Sequence, residues 1–257
     1  MAPAAPPAGI VARLRAAGCV FAEEEAALLV DAASSAEELE RMVTDRAAGT
    51  PLEVLVGWAE FCGLRIVVAP GVFVPRRRTE LMARRAVALA GPGSVALDLC
   101  CGTGAVGAAV RAGVPEADVY AAEIDPAAVA CARRNLPPDR VFEGDLYDAL
   151  PAALLGRVDV LACNAPYVPT DAIPLMPPEA RDHEHRVALD GGGDGLDVQR
   201  RVVAGAPTWL APGGHLLIES GRAQAPVTAD LMRDAGLTTE VVHDAEVGGT
   251  VVIGRRP

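Results

Sequence analysis

Two short segments hold the residues best suited to chemistry. The first is Asp98-Leu99-Cys100-Cys101-Gly102-Thr103-Gly104, which follows an apolar strand pattern at 95–99 and opens a helix pattern at 103–111. Gly102 and Gly104 let the backbone come close to a ligand. The free amides at a helix start can take a carboxylate or a phosphate. Glu123 ends the next strand pattern, 119–122, where an acidic side chain can hold both hydroxyls of a ribose. A tight strand-to-helix turn needs glycines in any case, so it is the added acid that points to a ligand. A dinucleotide is the natural competitor, but Cys100 and Cys101 stand where its fingerprint asks for glycine near the pyrophosphate. Asp145, in Glu143-Gly144-Asp145-Leu146 after a short strand pattern at 141–142, can meet an adenine amino group or serve equally well as a loop turn or helix cap.

The second segment is Asn164-Ala165-Pro166-Tyr167, directly after the apolar strand pattern 158–163. It falls at the carboxyl end of a parallel strand, where open α/β sheets bind ligands. The Asn164 amide oxygen and the Ala165 carbonyl are two acceptors, and Pro166 restricts Ala165 so that its carbonyl keeps one direction. Two converging acceptors suit a planar NH2 group. They orient it and stabilise positive charge growing on the nitrogen. Tyr167 can stack on the flat group. An amide nitrogen is a poor nucleophile, so positioning and electrostatics carry the work and no covalent intermediate is expected.

The elements that must hold these segments follow from periodicity. Residues 10–17, 22–33, 35–49 and 50–56 read as short helices, the third with a capping box at Ser35 and Glu38. The runs 64–68 and 72–74 flank Pro70-Gly71 and read as a β-hairpin. From residue 79 onward helix patterns (79–90, 103–111, 126–135, 196–210, 223–235) alternate with strand patterns (95–99, 119–122, 141–142, 158–163, 215–219). Two strand patterns, 239–243 and 250–253, close the chain without a helix between them and predict an antiparallel pair. A long Pro- and Gly-rich loop fills 164–193. Such alternation predicts an open, mostly parallel sheet with helices on both faces.

The chain has 257 residues, 51% of them hydrophobic and 22% charged, which suits one large domain and a small one around packed cores. The net charge of -11 argues against a duplex DNA ligand and is compatible with a basic protein partner. The six cysteines form no Cys-x-x-Cys pair and no zinc spacing, so no metal is expected and a reduced, cytoplasmic setting is. Residues 1–9 are rich in Ala and Pro without a secretory pattern, and no apolar run reaches ~18 residues, so no membrane span is expected.

Three charged clusters have plain explanations. Arg76-Arg77-Arg78 with Arg84 and Arg85 reads as a solvated helix start, with an RNA or acidic-partner contact as the alternative. His183-Glu184-His185 lacks metal-ligand spacing and reads as a loop surface. Glu23-Glu24-Glu25 reads as a helix start matched to the dipole.

At the two chemical segments the chain resembles the release-factor glutamine N(5)-methyltransferase family. The resemblance extends over Gly49-Thr50-Pro51-Leu52-Glu53, Pro70 to Arg76 with Thr79-Glu80, Ala188-Leu189-Asp190-Gly191-Gly192 with Asp194-Gly195-Leu196, and Glu219-Ser220-Gly221 with Gln224. It implies a seven-stranded, Rossmann-like class I methyltransferase sheet with its last strand antiparallel. It implies three parts: a helical substrate-docking domain at 1–57, a hairpin linker at 58–75 and a catalytic domain at 76–257. The methyl donor would be S-adenosylmethionine, held by Cys100, Cys101, Gly102, Thr103 and Gly104, by Glu123, by Asp145 and Leu146, and by Asn164. Asn164, Ala165, Pro166 and Tyr167 would hold the glutamine amide of a protein substrate, by default a peptide chain release factor, and the enzyme is expected to be a monomer. Three segments depart from the family pattern: Ala165 replaces a proline, Cys100 and Cys101 replace glycine and a small residue, and Arg77-Arg78 replaces a pair ending in an acid. The alternatives are an exocyclic NH2 of a nucleobase, which would require base flipping, another small planar amine, or a non-catalytic adaptor.

Overall fold

The computed structural model describes residues 8–257, so the secretory reading of 1–9 lies, for residues 1–7, outside the described residues. The chain begins with four helices, α1 (Ala8–Ala16), α2 (Ala22–Ala32), α3 (Ala36–Ala47) and α4 (Leu52–Val56). They close around their own apolar cluster of Leu14, Ala22, Ala26, Leu29, Met42 and Val43. Ser35 caps α3 by accepting from the Glu38 amide, while Glu38 returns to the Ser34 amide rather than to Ser35. The first-turn acid Glu25 is buried because it meets Arg46 of α3 at 2.6 Å. Arg46 also donates to Glu179 at 2.6 Å, which ties the helices to a distant segment described below.

A two-stranded hairpin follows, and it lies elsewhere than its turn signal predicts. Strand β1 (Trp58–Phe61) pairs with β2 (Leu64–Val67), so the turn is Cys62-Gly63. Both turn residues are left-handed (φ 51° and 74°), the backbone that a two-residue hairpin loop demands. Cysteine is a rare occupant of that conformation, which hides the turn in the sequence. Pro70-Gly71 forms a separate turn closed by the Val72 amide on the Ala69 carbonyl. The stretch after it pairs with no strand; instead the Val74 amide donates to buried Glu184.

The remainder is a doubly wound α/β unit. After a 3-10 turn at Arg77–Thr79 come α5 (Glu80–Leu89), β3 (Val95–Leu99), α6 (Ala105–Gly113), β4 (Asp118–Glu123), α7 (Pro126–Asn135), β5 (Val141–Glu143) and β6 (Val158–Cys163). The short helix α8 (Pro178–Arg181) interrupts the long loop, and α9 (Asp197–Trp209), β7 (Leu210–Glu219), α10 (Ala225–Asp234), β8 (Thr238–Asp244) and β9 (Gly249–Arg255) complete the chain. The sheet has seven strands in the order β5-β4-β3-β6-β7-β9-β8. Strands β3 to β7 run parallel, and β9 lies antiparallel between β7 and β8. On one face α5, α6 and α7 bury Met82, Ala86, Ala105, Ala109 and Val129; on the other α9 and α10 bury Val202, Ala206, Ala229 and Met232. The period of two along β3 serves both faces: Leu97 and Leu99 join the second core, and Ala96 the first. The strand order reverses beside β3, so β3 and β6 are neighbours whose following segments diverge and leave a crevice at their carboxyl ends.

Candidate active site

A cleft of about 420 Å³ opens at those carboxyl ends. It is lined by Cys100, Cys101, Gly102, Thr103, Glu123, Asp145, Leu146, Asn164, Ala165, Pro166 and Tyr167, so one cavity gathers the two chemical segments. Gly104 caps α6 from just beneath.

The glycine loop is a chain of left-handed residues. Cys100, Gly102 and Gly104 have φ of 55°, 55° and 76°. Cys100 is the costly one, since a side chain in this region is strained by about 1 kcal/mol or more. A Cβ on Gly104 would press on Leu136 at 2.9 Å, whereas a Cβ on Gly102 would meet nothing within 4 Å. Gly104 is thus a packing glycine, and Gly102 faces open space. Asn135 at the end of α7 holds the loop from behind: its Nδ2 donates to the carbonyls of Thr103 and Val67, and its Oδ1 accepts from the Val67 amide.

Glu123 closes this side. Its carboxylate accepts from the amides of Gly102 (2.8 Å), Ile124 (2.8 Å) and Asp125 (3.1 Å). Burial raises its pKa, and the three amides oppose that rise. Asp98 lies outside the residues that the sequence assigns to a ligand, yet it also lines the cleft. Its Oδ2 accepts from the Gly107 amide at 2.8 Å, and burial pushes its carboxyl up to about 7. Asp145 stands at the rim with its carboxylate held by Arg201 at 2.7 Å, and Leu146, left-handed at φ 52°, is buried as part of the wall.

Asn164 continues directly from β6, and Ala165 is buried behind it with its side chain in the second core. Tyr167 is held from several sides. Its carbonyl accepts from Gln224 Nε2 at 3.0 Å, and the same nitrogen donates to the Asp194 carbonyl. Gly195 packs so closely that a Cβ there would collide with the Tyr167 carbonyl. Val168 and Asp190 form a parallel bridge, with the Val168 amide on the Leu189 carbonyl and the Gly191 amide on the Val168 carbonyl. The blocks 188–196 and 219–224 are therefore the braces of the tetrapeptide. The Tyr167 hydroxyl donates to Glu219 at 3.3 Å, and burial pushes its pKa up to about 12.

Two plain explanations of charged clusters hold only in part. Arg77, Arg84 and Arg85 are exposed at the helix start, whereas Arg76 and Arg78 are half-buried. Arg76 meets buried Glu184 at 2.5 Å, and Arg78 meets buried Glu219 at 3.1 Å. Glu184 is not a loop surface either, since burial leaves it 6% exposed beneath the 73–76 segment. Its neighbour His185 meets Asp125 at the start of α7, Nδ1 to Oδ2 at 2.5 Å. Partners 60 to 141 residues away in sequence leave no local signal of these pairs.

The model of the methyltransferase small domain family matches residues 63–175. A release factor glutamine methyltransferase of Geobacter sulfurreducens is 38% identical over 76% of this chain and 69% of its own length. This chain belongs to that family. A 4-amino-L-phenylalanine/4-methylamino-L-phenylalanine methyltransferase of Streptomyces pristinaespiralis is also 38% identical, over 76% of the chain and 69% of its own length. Among solved structures, a methyltransferase of Pyrococcus furiosus superposes with a TM-score of 0.57 over 86% of this chain and 99% of its own, at 19% identity, which supports the fold. The protein is thus a methyltransferase, and its family and fold imply S-adenosylmethionine as the methyl donor. The glycine loop suits such a donor: amides and open space at Gly102 lie beside a strand-tip carboxylate. No helix among the described residues is long and apolar enough to cross a membrane.

Proposed function

We propose that this methyltransferase transfers a methyl group to the side-chain amide nitrogen of a protein glutamine, in a peptide chain release factor. The observation that carries the proposal is the common cleft of Gly102, Glu123 and Asn164-Ala165-Pro166-Tyr167. The bound donor supplies an electrophilic methyl on a sulfonium. The loop from Cys100 to Gly104 would hold its charged end, Glu123 its ribose, and Asp145 with Leu146 its base. Asn164 Oδ1 and the Ala165 carbonyl would each accept one N–H of the substrate amide, turning the nitrogen toward the methyl carbon. The amide nitrogen held by these two acceptors would take up the methyl as the sulfonium is displaced as a neutral thioether, and would give up one proton to solvent. Both acceptors interact most strongly with the cationic nitrogen of the transition state, so they favour transfer over mere binding. Tyr167 walls the acceptor side, and Gln224 fixes its backbone. The helices α1 to α4 form a separate docking domain for the protein substrate, a role supported by their independent core and by the Arg46–Glu179 link to the cleft. The enzyme acts as a cytoplasmic monomer.

An aromatic amine is the second reading, favoured by the Streptomyces pristinaespiralis relative. An aniline NH2 is also planar and would use the same two acceptors. The test is methyl transfer from labelled donor to a purified release factor and, separately, to 4-amino-L-phenylalanine, with fragmentation mass spectrometry of the product. Methyl on a glutamine side-chain nitrogen supports the first reading. Label on the free amino acid alone replaces it with the second.

A further inference from the structure

A groove of about 520 Å³ lies between β2 and the last turns of α6 and α7. Its lining residues are distinct from those of the active-site cleft. Arg65 of β2, Arg111 of α6 and Arg134 of α7 line it, and among the described residues no acid does. None of these three guanidinium groups makes a hydrogen bond or an ion pair among the described residues, although they are exposed in a chain of net charge -11. Elsewhere on the surface that charge finds its arginines, as Arg13 with Glu40 and Arg140 with Asp118. Arg65 is steadied in another way: its guanidinium carbon lies 4.2 Å from the centre of the Trp58 ring, which holds the cation and leaves its donors free. A cation in the last turn complements the helix dipole, which accounts for Arg111 and Arg134 one by one. It does not account for their sharing a groove with Arg65.

The same groove holds an open strand edge. At Val67 the edge of β2 is filled, because the Asn135 side chain accepts from the Val67 amide at 2.8 Å and donates to its carbonyl at 2.9 Å. Arg65 lies two residues earlier, so its N–H and C=O face the same way. Neither has a partner among the described residues. Leu64, Ala108, Ala112 and Pro115 add apolar surface to the lining. We infer that this groove docks an extended acidic segment of a partner protein, with its carboxylates on the three arginines and small apolar residues between them. The backbone of such a segment would lengthen the hairpin by pairing with Arg65. A nucleic acid fits less well. Among the described residues no aromatic side chain lines the groove to stack bases, and Trp58 is already covered by Arg65. The charge of -11 repels a long polyanion, whereas a short acidic segment senses only the cations within about 10 Å. This surface goes beyond the methyl-transfer reading and does not depend on it.

The test is fluorescence anisotropy of the full chain with a labelled peptide of alternating Glu and Val at low salt. The wild type is expected to bind it roughly 10-fold or more tighter than the Gln–Val counterpart, the combined yield of several exposed ion pairs. High salt should erase that margin. The variant Arg65→Gln/Arg111→Gln/Arg134→Gln changes exposed side chains only and should bind the two peptides alike. A Glu–Val peptide with N-methylated amides should bind more weakly, because it cannot lengthen the hairpin. Equal affinity of the wild type for the acidic and neutral peptides overturns the inference, and so does a lack of binding to either. A triple variant that keeps the wild-type preference overturns it as well, since the acidic peptide then sits elsewhere. A single-stranded oligonucleotide that displaces the acidic peptide from the wild type, and binds the triple variant more weakly, assigns the groove to nucleic acid instead. Undiminished binding of the N-methylated peptide removes the strand pairing on which the extended segment rests.

Discussion

The two halves of the cleft are built on different plans. The donor half is local: residues 98–107 form strand end, loop and helix start in one run, and one strand-tip acid, Glu123, bonds back to that run. Its polar work is done mainly by backbone amides. The acceptor half is assembled from four distant pieces: Arg78 before α5, Asn164 to Tyr167 after β6, residues 188–195 of the long loop, and Glu219 to Gln224 after β7. Its polar work is shared between side chains and backbone carbonyls. A half made of contiguous backbone tolerates side-chain change wherever φ permits. A half made of long-range contacts depends on every one of its distant pieces being in place.

Substitutions can break or sharpen this contrast. The largest effect is expected at Asn164. Asn164→Ala should lower kcat by roughly 10²–10³, the cost of losing one preorganised partner of the transition state, while the donor Kd by calorimetry stays within error. Normal turnover would remove Asn164 from the chemistry. Glu123→Ala should do the reverse, weakening donor binding by roughly 10-fold or more through loss of a charge-assisted site, with a smaller effect on kcat at saturating donor. An unaltered donor Kd would take the ribose role from Glu123.

Gln224→Ala comes next. It leaves the carbonyls of Tyr167 and Asp194 without their shared donor, which costs about 1–3 kcal/mol of stability, and it should raise acceptor KM without touching donor affinity. A shift in donor affinity instead would mean that the halves are mechanically coupled.

Asp98 gives a pH test of the donor half. Its folded pKa, about 7, lies above its ordinary value of 3.8, so the folded protein holds this proton longer than the unfolded chain. The group therefore lowers stability as pH rises from about 4 to about 7, with the full penalty present above that range. Chemical denaturation of Asp98→Asn across this window should show a shallower fall than the wild type. Parallel curves would place the titration elsewhere. The smallest effect is expected at Cys100, whose φ of 55° suits glycine. Cys100→Gly should change stability by no more than about 1 kcal/mol, strain relief offsetting lost side-chain burial and added chain entropy. A loss well beyond that would show that its packing against the second core matters more than its backbone.

The same contrast explains what could be read in the sequence. The Rossmann-like alternation, the start of α7 at Pro126 and the strands at 95–99 and 158–163 follow from period and turn residues, and the structure has them there. The glycine loop and Glu123 were legible for the same reason, because their interaction is short-range in topology. The hairpin was misplaced because a left-handed Cys62 carries no turn signal while Pro70-Gly71 carries a strong one. Arg76, Arg78, Glu184 and Glu219 were invisible as pairs, since burial of a charge is decided by a partner brought in by the fold. Asn135 looks like an ordinary helix end, and only the crossing of β2, the loop and α7 makes it a brace.

The most direct measurement is a crystal structure of the enzyme with S-adenosylhomocysteine and a glutamine-containing acceptor. The account predicts that the acceptor NH2 lies about 2.9 Å from both Asn164 Oδ1 and the Ala165 carbonyl oxygen, on the side facing the donor's sulfur. An acceptor nitrogen bound elsewhere, or either oxygen turned away from the cleft, would contradict it.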